Sequence, residues 1–225
     1  HGQVTETNAH PHYDCNNSIS IVHNGIIENH QELKHLLKNH NFRSDTDTEV
    51  IAHLLEDFLQ KEKTIEEAFK KTLNLLEGAY SIVMIHKDNP NKIFVAKKSS
   101  PLVLGIGDNE ILVASDVIPI LKYTNNIIYL QDGDIATIEQ RDYKIKNIEN
   151  LPVDREITKL KIDISEISKG EFPHFMLKEI YEQSTTIKNA FKGRIDYENA
   201  TSKFGGLNIS EREIENIDKV IIVGC

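Results

Sequence analysis

Apolar positions along the chain change period near residue 78. Before it they recur at helical spacing. Val50, Ile51, Leu54, Leu55, Phe58 and Leu59 line one face of a predicted helix. Thr46-Asp47-Thr48-Glu49 stands in front of that face as a capping box. Thr64 with Glu67 makes a further box, followed by Ile65, Ala68, Phe69, Leu75 and Leu76, and Gly78 suits the stop. Upstream, residues 18–23 read as a strand, and Asn29 with Glu32 predicts a cap for a helix from His30 to about Lys38. After 78 the apolar runs are short and rich in β-formers: 79–86, 93–97, 102–106, 111–114, 127–130 and 134–139. The turn clusters KDNPNK, GDNE and QDGD divide them. Helices followed by closely spaced strands predict an α+β fold, with helices stacked on antiparallel sheets rather than alternating βαβ units.

From 151 to 173 polar residues dominate, which suggests a linker. Residues 176–192 look helical and end at Gly193. Ser210 to Glu213 opens another short helix, and VIIVGC at 220–225 reads as a buried strand. The expected division is a first domain over 1–148, a linker with a connecting helix over 149–213, and the start of a further domain over 214–225. With His-Gly at one end and a buried-strand pattern at the other, the chain is expected to be an internal piece of a longer protein.

Composition narrows the partners. The 225 residues carry a formal charge of −9, which argues against nucleic acid or an anionic membrane as the main partner. Two cysteines, Cys15 and Cys225, make no disulfide framework, so a reducing compartment is expected. No apolar run approaches the length of a membrane span and no signal-peptide pattern is present, so the expected location is cytoplasmic.

The stretch IVHNGIIEN at 21–29 carries the first candidate chemistry. Asn-Gly after an apolar run commonly makes a hairpin turn. Here only Ile26 and Ile27 precede the next helix signal, a short return strand. The competing reading is a pair of donors, the Asn24 amide and the Gly25 N–H, delivered to one point at a sheet end. That is what a tetrahedral oxyanion needs. Asp47 also has two readings: a carboxylate favoured by a helix dipole, or the receptor of a ligand ammonium group. His10 and His12 share a face if extended, and Cys15 and His23 are near in sequence, so a zinc site is conceivable. No tetrad spacing of a known site appears, and neither a metal nor a cofactor is expected. His30, His35 and His40 fall five apart, about 140° per step round a helix, and so do not converge.

Taken together, His1-Gly2, NAHPH at 8–12, VHNGIIENH at 22–30 and TDTEVIAHL at 46–54 resemble the glutamine–fructose-6-phosphate aminotransferase family. GAY from Gly78, SPLVLG from Ser100, ASD from Ala114, DGDIA from Asp132 and KEIYEQ from Lys178 also match that family. The final Val223-Gly224-Cys225 resembles the start of its sugar-isomerase half. The resemblance implies a class II glutamine amidotransferase domain with the N-terminal-nucleophile hydrolase fold, an αββα sandwich. In that family an N-terminal Cys attacks the glutamine amide, its own α-amine serving as base. Ammonia then passes to the isomerase half, where fructose 6-phosphate becomes glucosamine 6-phosphate.

Carried over by position, Asn24 and Gly25 match the oxyanion hole, and Asp47 matches the residue that binds the α-amino group of L-glutamine. His1 and Gly2 match the end of the segment that shapes the α-carboxylate pocket. The nucleophilic Cys and the carboxylate-binding Arg are expected upstream of His1. Cys15, an internal residue without a free α-amine, cannot replace the nucleophile. The chain by itself is therefore expected to be inactive, and the whole protein to be a homodimer. Other class II amidotransferases, acting on phosphoribosyl pyrophosphate or making asparagine, share the Asn-Gly and Asp logic. A non-catalytic metal-binding module on His10, His12 and Cys15 is the reading from a different class.

Overall fold

In the computed structural model of the chain, the described residues are 2–161, 169–196, 198, 201–202, 211–219 and 221. The chain forms two units, 1–167 and 168–225.

The first unit is built on two antiparallel sheets. The larger has the order β1 (His12–Tyr13), β2 (Ile19–Ile27), β3 (Gly78–His86), β4 (Lys92–Lys98), β8 (Ile135–Glu139) and β9 (Asp142–Lys146). The smaller has the order β10 (Thr158–Lys159), β7 (Asn126–Tyr129), β5 (Val103–Ile106) and β6 (Ile111–Ala114). Helices α1 (His30–Leu36), α2 (Thr48–Leu59) and α3 (Ile65–Leu75) cover one face of the larger sheet.

Strand periodicity builds these layers. On β4, Phe94 and Ala96 join Ile21, Ile82, Ile51, Leu55 and Phe69 in the core under the helices. Between them Val95 points the other way, into a second core with Leu104, Ile128, Ala136 and Ile138 between the sheets. Val103 and Ile127, on the outer face of the smaller sheet, pack with Ile120. That outer cover is a pair of tight turns over 117–124, with Ile120 N–H bonded to the Val117 carbonyl at 2.9 Å. The layer order is thus helix, sheet, sheet and turns.

Most predicted elements are present, and the departures have local causes. The strand expected at 18–23 runs to Ile27, carrying Asn24 and Gly25 inside the ladder opposite Ser81 and Tyr80. The hairpin reading of Asn-Gly is thereby corrected: the partner strand is β3, more than fifty residues on. Thr64 caps α3 as expected, accepting from Glu67 N–H at 3.2 Å. The boxes at Asn29 and Thr46 do not form. Asn29 turns instead to α3, donating to the Leu75 carbonyl (2.8 Å) and accepting from Glu77 N–H (3.1 Å). Glu49 accepts from Arg43 and Ser44 N–H, and Asp47 turns toward β2.

Residues 149–161 stay with the first unit. Val153 packs into the inter-sheet core, Arg155 pairs with Asp134, and β10 extends the smaller sheet beside β7. The second unit contains α4 (Phe175–Phe191), capped by His174, a short pair β11 (Ile195–Asp196) and β12 (Thr201–Ser202), and α5 (Glu211–Glu215). No residue of α4 is buried. The strand expected at 220–225 lies outside the described residues except for Ile221. Among the described residues no helix is long and apolar enough to cross a membrane.

Candidate functional site

The last third of β2 sets the site. Its odd-numbered residues Ile19, Ile21, His23 and Ile27 are buried, so the even-numbered Asn24 takes the opposite, exposed face. Gly25 has φ 141°, and a Cβ there would lie 2.1 Å from the Ala79 carbonyl oxygen and 3.0 Å from Ser100 Oγ. Only glycine fits this approach of β2 to β3. Two residues on, Ile27 N–H donates to Asp47 Oδ2 at 2.7 Å. This bond ties the start of α2 to the end of β2, two residues along the strand from Gly25.

Asp47 is 6% exposed, and among the described residues no Lys or Arg pairs with it. Its neighbours are three imidazoles. Burial pushes the pKa of His10, His12 and His23 down, and the attraction of Asp47 offsets this only in part. Burial thus holds all three toward the neutral form. His23 Nδ1 lies 3.0 Å from Thr48 Oγ1, His10 Nε2 3.4 Å from the same hydroxyl, and His12 Nε2 3.2 Å from Thr46 Oγ1. A buried carboxylate without a cationic partner is costly. The arrangement suits a positively charged ligand group.

Gly2, with φ 71°, packs against the Asn8 side chain, and Asn8 Oδ1 accepts from Asp45 N–H at 3.0 Å. The amino-terminal stretch is thus linked to the loop that ends at Asp47. His1 lies outside the described residues. A cavity between α3 and the β8–β9 edge, lined by Thr64, Glu67, Lys92 and Tyr143, includes none of these candidates.

The metal-module grouping of His10, His12 and Cys15 is corrected. His10 and His12 meet edge to face at 5.2 Å and reach the threonines at the α2 start. Cys15 faces elsewhere, toward His40 and His53. Sequence reasoning missed Thr48, whose hydroxyl joins His10 and His23. Its only visible signal was its place next to Asp47.

The antiparallel double sheet under three helices defines a class of fold. Residues 3–122 match the family model described as a glutamine amidotransferase domain, and the chain belongs to that family. More particularly, it is 44% identical over 226 residues, 99% of its length, to the glutamine–fructose-6-phosphate aminotransferase (isomerizing) of Thermococcus kodakarensis. It is 41% identical over 227 residues, 100% of its length, to the enzyme of that name from Thermus thermophilus. The chain spans about a third of these relatives' length, 36% in each case. Among solved structures it is similar to glutamine phosphoribosylpyrophosphate amidotransferase from B. subtilis. That likeness has a TM-score of 0.54 and 26% identity, over 65% of this chain and 33% of that one.

Proposed function

We propose that this chain is the glutaminase portion of a glutamine–fructose-6-phosphate aminotransferase. It would hydrolyse L-glutamine and supply ammonia for making glucosamine 6-phosphate in the rest of the protein. The single observation that carries the glutamine site is the Ile27 N–H bond to Asp47, which joins a lone buried carboxylate to the Asn24-Gly25 strand end. The sugar acceptor is favoured over phosphoribosyl pyrophosphate by identity of 38–45% along the chain, against 26% over 65% of it.

On this reading the ammonium group of glutamine sits on Asp47. Its charge completes a buried pair that the free chain leaves open. The side-chain carbonyl oxygen points at the Asn24 amide and the Gly25 N–H, which stabilise negative charge as the thiol of the N-terminal Cys adds to the carbonyl. Collapse of that adduct expels ammonia, and water then cleaves the thioester to give glutamate. His1 and Gly2 close the α-carboxylate side. The whole protein is proposed to be a cytoplasmic homodimer that takes fructose 6-phosphate at a separate site.

The test uses the full-length protein. Asn24→Ala should lower kcat for glutamine hydrolysis roughly 100- to 1,000-fold with KM little changed, the loss typical of one oxyanion donor. Asp47→Ala should act chiefly on KM, because its contact exists in ground and transition states alike. An Asn24→Ala enzyme with raised KM and normal kcat would refute the role assignment. Failure to form glucosamine 6-phosphate from fructose 6-phosphate, with glutaminase intact, would refute the acceptor.

A further inference from the structure

Four side chains with metal-binding atoms meet away from the glutamine site. Cys15 lies in the turn between β1 and β2, His40 between α1 and α2, and His53 and Glu56 one turn apart on α2. Cys15 Sγ is 3.5 Å from His40 Nδ1 and 3.7 Å from His53 Nδ1. Glu56 Oε2 is 3.0 Å from His40 Nδ1 and 3.3 Å from His53 Nδ1. The four ligand atoms all lie within 4.8 Å of one another. A tetrahedral ion with bonds of about 2.3 Å to sulfur and 2.0–2.1 Å to nitrogen or oxygen needs edges of about 3.6 Å and about 3.3 Å. The four spacings from the Cys15 sulfur and the Glu56 oxygen to the two Nδ1 atoms, 3.5, 3.7, 3.0 and 3.3 Å, are close to those edges.

The surroundings agree. His40 turns Nε2 to Asp57 Oδ1 at 2.9 Å, while His53 Nε2 is 3.5 Å from Glu49 Oε1 and makes no hydrogen bond. Both rings thus point Nδ1 inward, and His40 has the outer carboxylate bond typical of a metal-ligating imidazole. Asn16 Nδ2 and Cys15 N–H hold the Glu56 carboxylate at 3.0 and 3.1 Å. A proton network without metal accounts for His40 between Glu56 and Asp57. It gives no reason for a thiol and a second Nδ1 to be brought to the same point.

We propose that Cys15, His40, His53 and Glu56 form a structural, four-coordinate zinc site. A thiolate, two imidazoles and one carboxylate suit zinc, and four protein ligands leave no open position for catalysis. The ion would pin the β1–β2 turn and the α1–α2 loop to α2. That loop leads into Asp47, so the site would hold the glutamine-binding carboxylate in register without touching substrate. Zinc would replace the Cys15 S–H proton, which passes to solvent. Burial, with the Glu56 charge adding to it, pushes the metal-free thiol up.

The experiment is metal analysis of the full-length protein purified after expression with zinc, then exchanged into cobalt. Wild type should hold about one zinc per chain at this site, and Cys15→Ser or His53→Ala should lose it. Cobalt in the wild type should give a tetrahedral spectrum with a thiolate charge-transfer band that Cys15→Ser abolishes. Should either variant fail to fold, the wild-type cobalt spectrum decides alone. Zinc-loaded wild type that emerges metal-free overturns the proposal. So does zinc content unchanged in Cys15→Ser, or a cobalt spectrum without thiolate character.

Discussion

At the scale of single residues, Gly25 and His23 carry the most specific constraints. Gly25 sits at φ 141° with the Ala79 carbonyl where a Cβ would be. Gly25→Ala must both hold a backbone conformation that L-residues disfavour and push β3 away. The backbone strain alone costs about 1–3 kcal/mol. Urea unfolding should register at least that loss, and unchanged stability would mean the strands separate freely. His23 is buried beside Asp47, and burial holds its folded pKa below the ordinary 6.5. The unfolded chain therefore takes up this proton first. The stability that neutral His23 permits is complete above about pH 6.5 and is lost as pH falls below it. Denaturant midpoints between about pH 7 and 5 should fall less steeply in His23→Gln than in wild type. Identical slopes would show that His23 is solvated.

At the scale of elements, periodic burial was legible and side-chain choice between partners was not. The apolar face of α2 and the alternation on β3 and β4 follow from sequence spacing, because packing a helix on a sheet rewards just that spacing. β9, DYKIK, has three charged residues in five, with Ile145 its buried residue, so it gives little strand signal by itself. β10 is two exposed residues that pair with β7. The Asn29 and Thr46 boxes failed for one physical reason. A local cap contributes about 1 kcal/mol, and a tertiary partner offers a similar bond while also joining elements. Asn29 consequently closes the carboxyl end of α3 rather than opening α1. Asn29→Ala should cost about 1–2 kcal/mol for the two lost bonds. Amide exchange should then quicken at Glu77 beyond the last turn of α3, not in the first turn of α1. Faster exchange confined to α1 would restore the cap reading.

At the scale of the whole chain, the proposed glutamine site and the Cys15 cluster illustrate two kinds of legibility. Asn24, Gly25 and Asp47 stand in two short motifs, and the bond from Ile27 N–H to the Asp47 carboxylate brings the motifs together. Cys15, His40 and the α2 pair come from three separate segments, so only the folded chain reveals that they meet.

The segment after β9 poses a similar problem. Its polar sequence reads as a linker, yet Val153 N–H bonds to the Ile145 carbonyl on the larger sheet, and Leu160 N–H to the Asn125 carbonyl beside the smaller one. Between them Arg155 reaches Asp134 with two bonds, Nε at 2.8 Å and Nη2 at 2.7 Å. Asp134 is 1% exposed and also accepts from Gln131 N–H at 2.7 Å. Arg155→Ala would leave that carboxylate buried with its main cationic partner gone, a loss of about 3–5 kcal/mol. Asp134→Asn in the same chain should recover part of it, because the stranded charge, rather than the missing bond, is the larger cost. Urea unfolding of the single and double variants measures both. If Arg155→Ala costs under about 1 kcal/mol, the pair behaves as a solvated surface bridge, and the strap across the two sheets is held by β10 and Val153 instead.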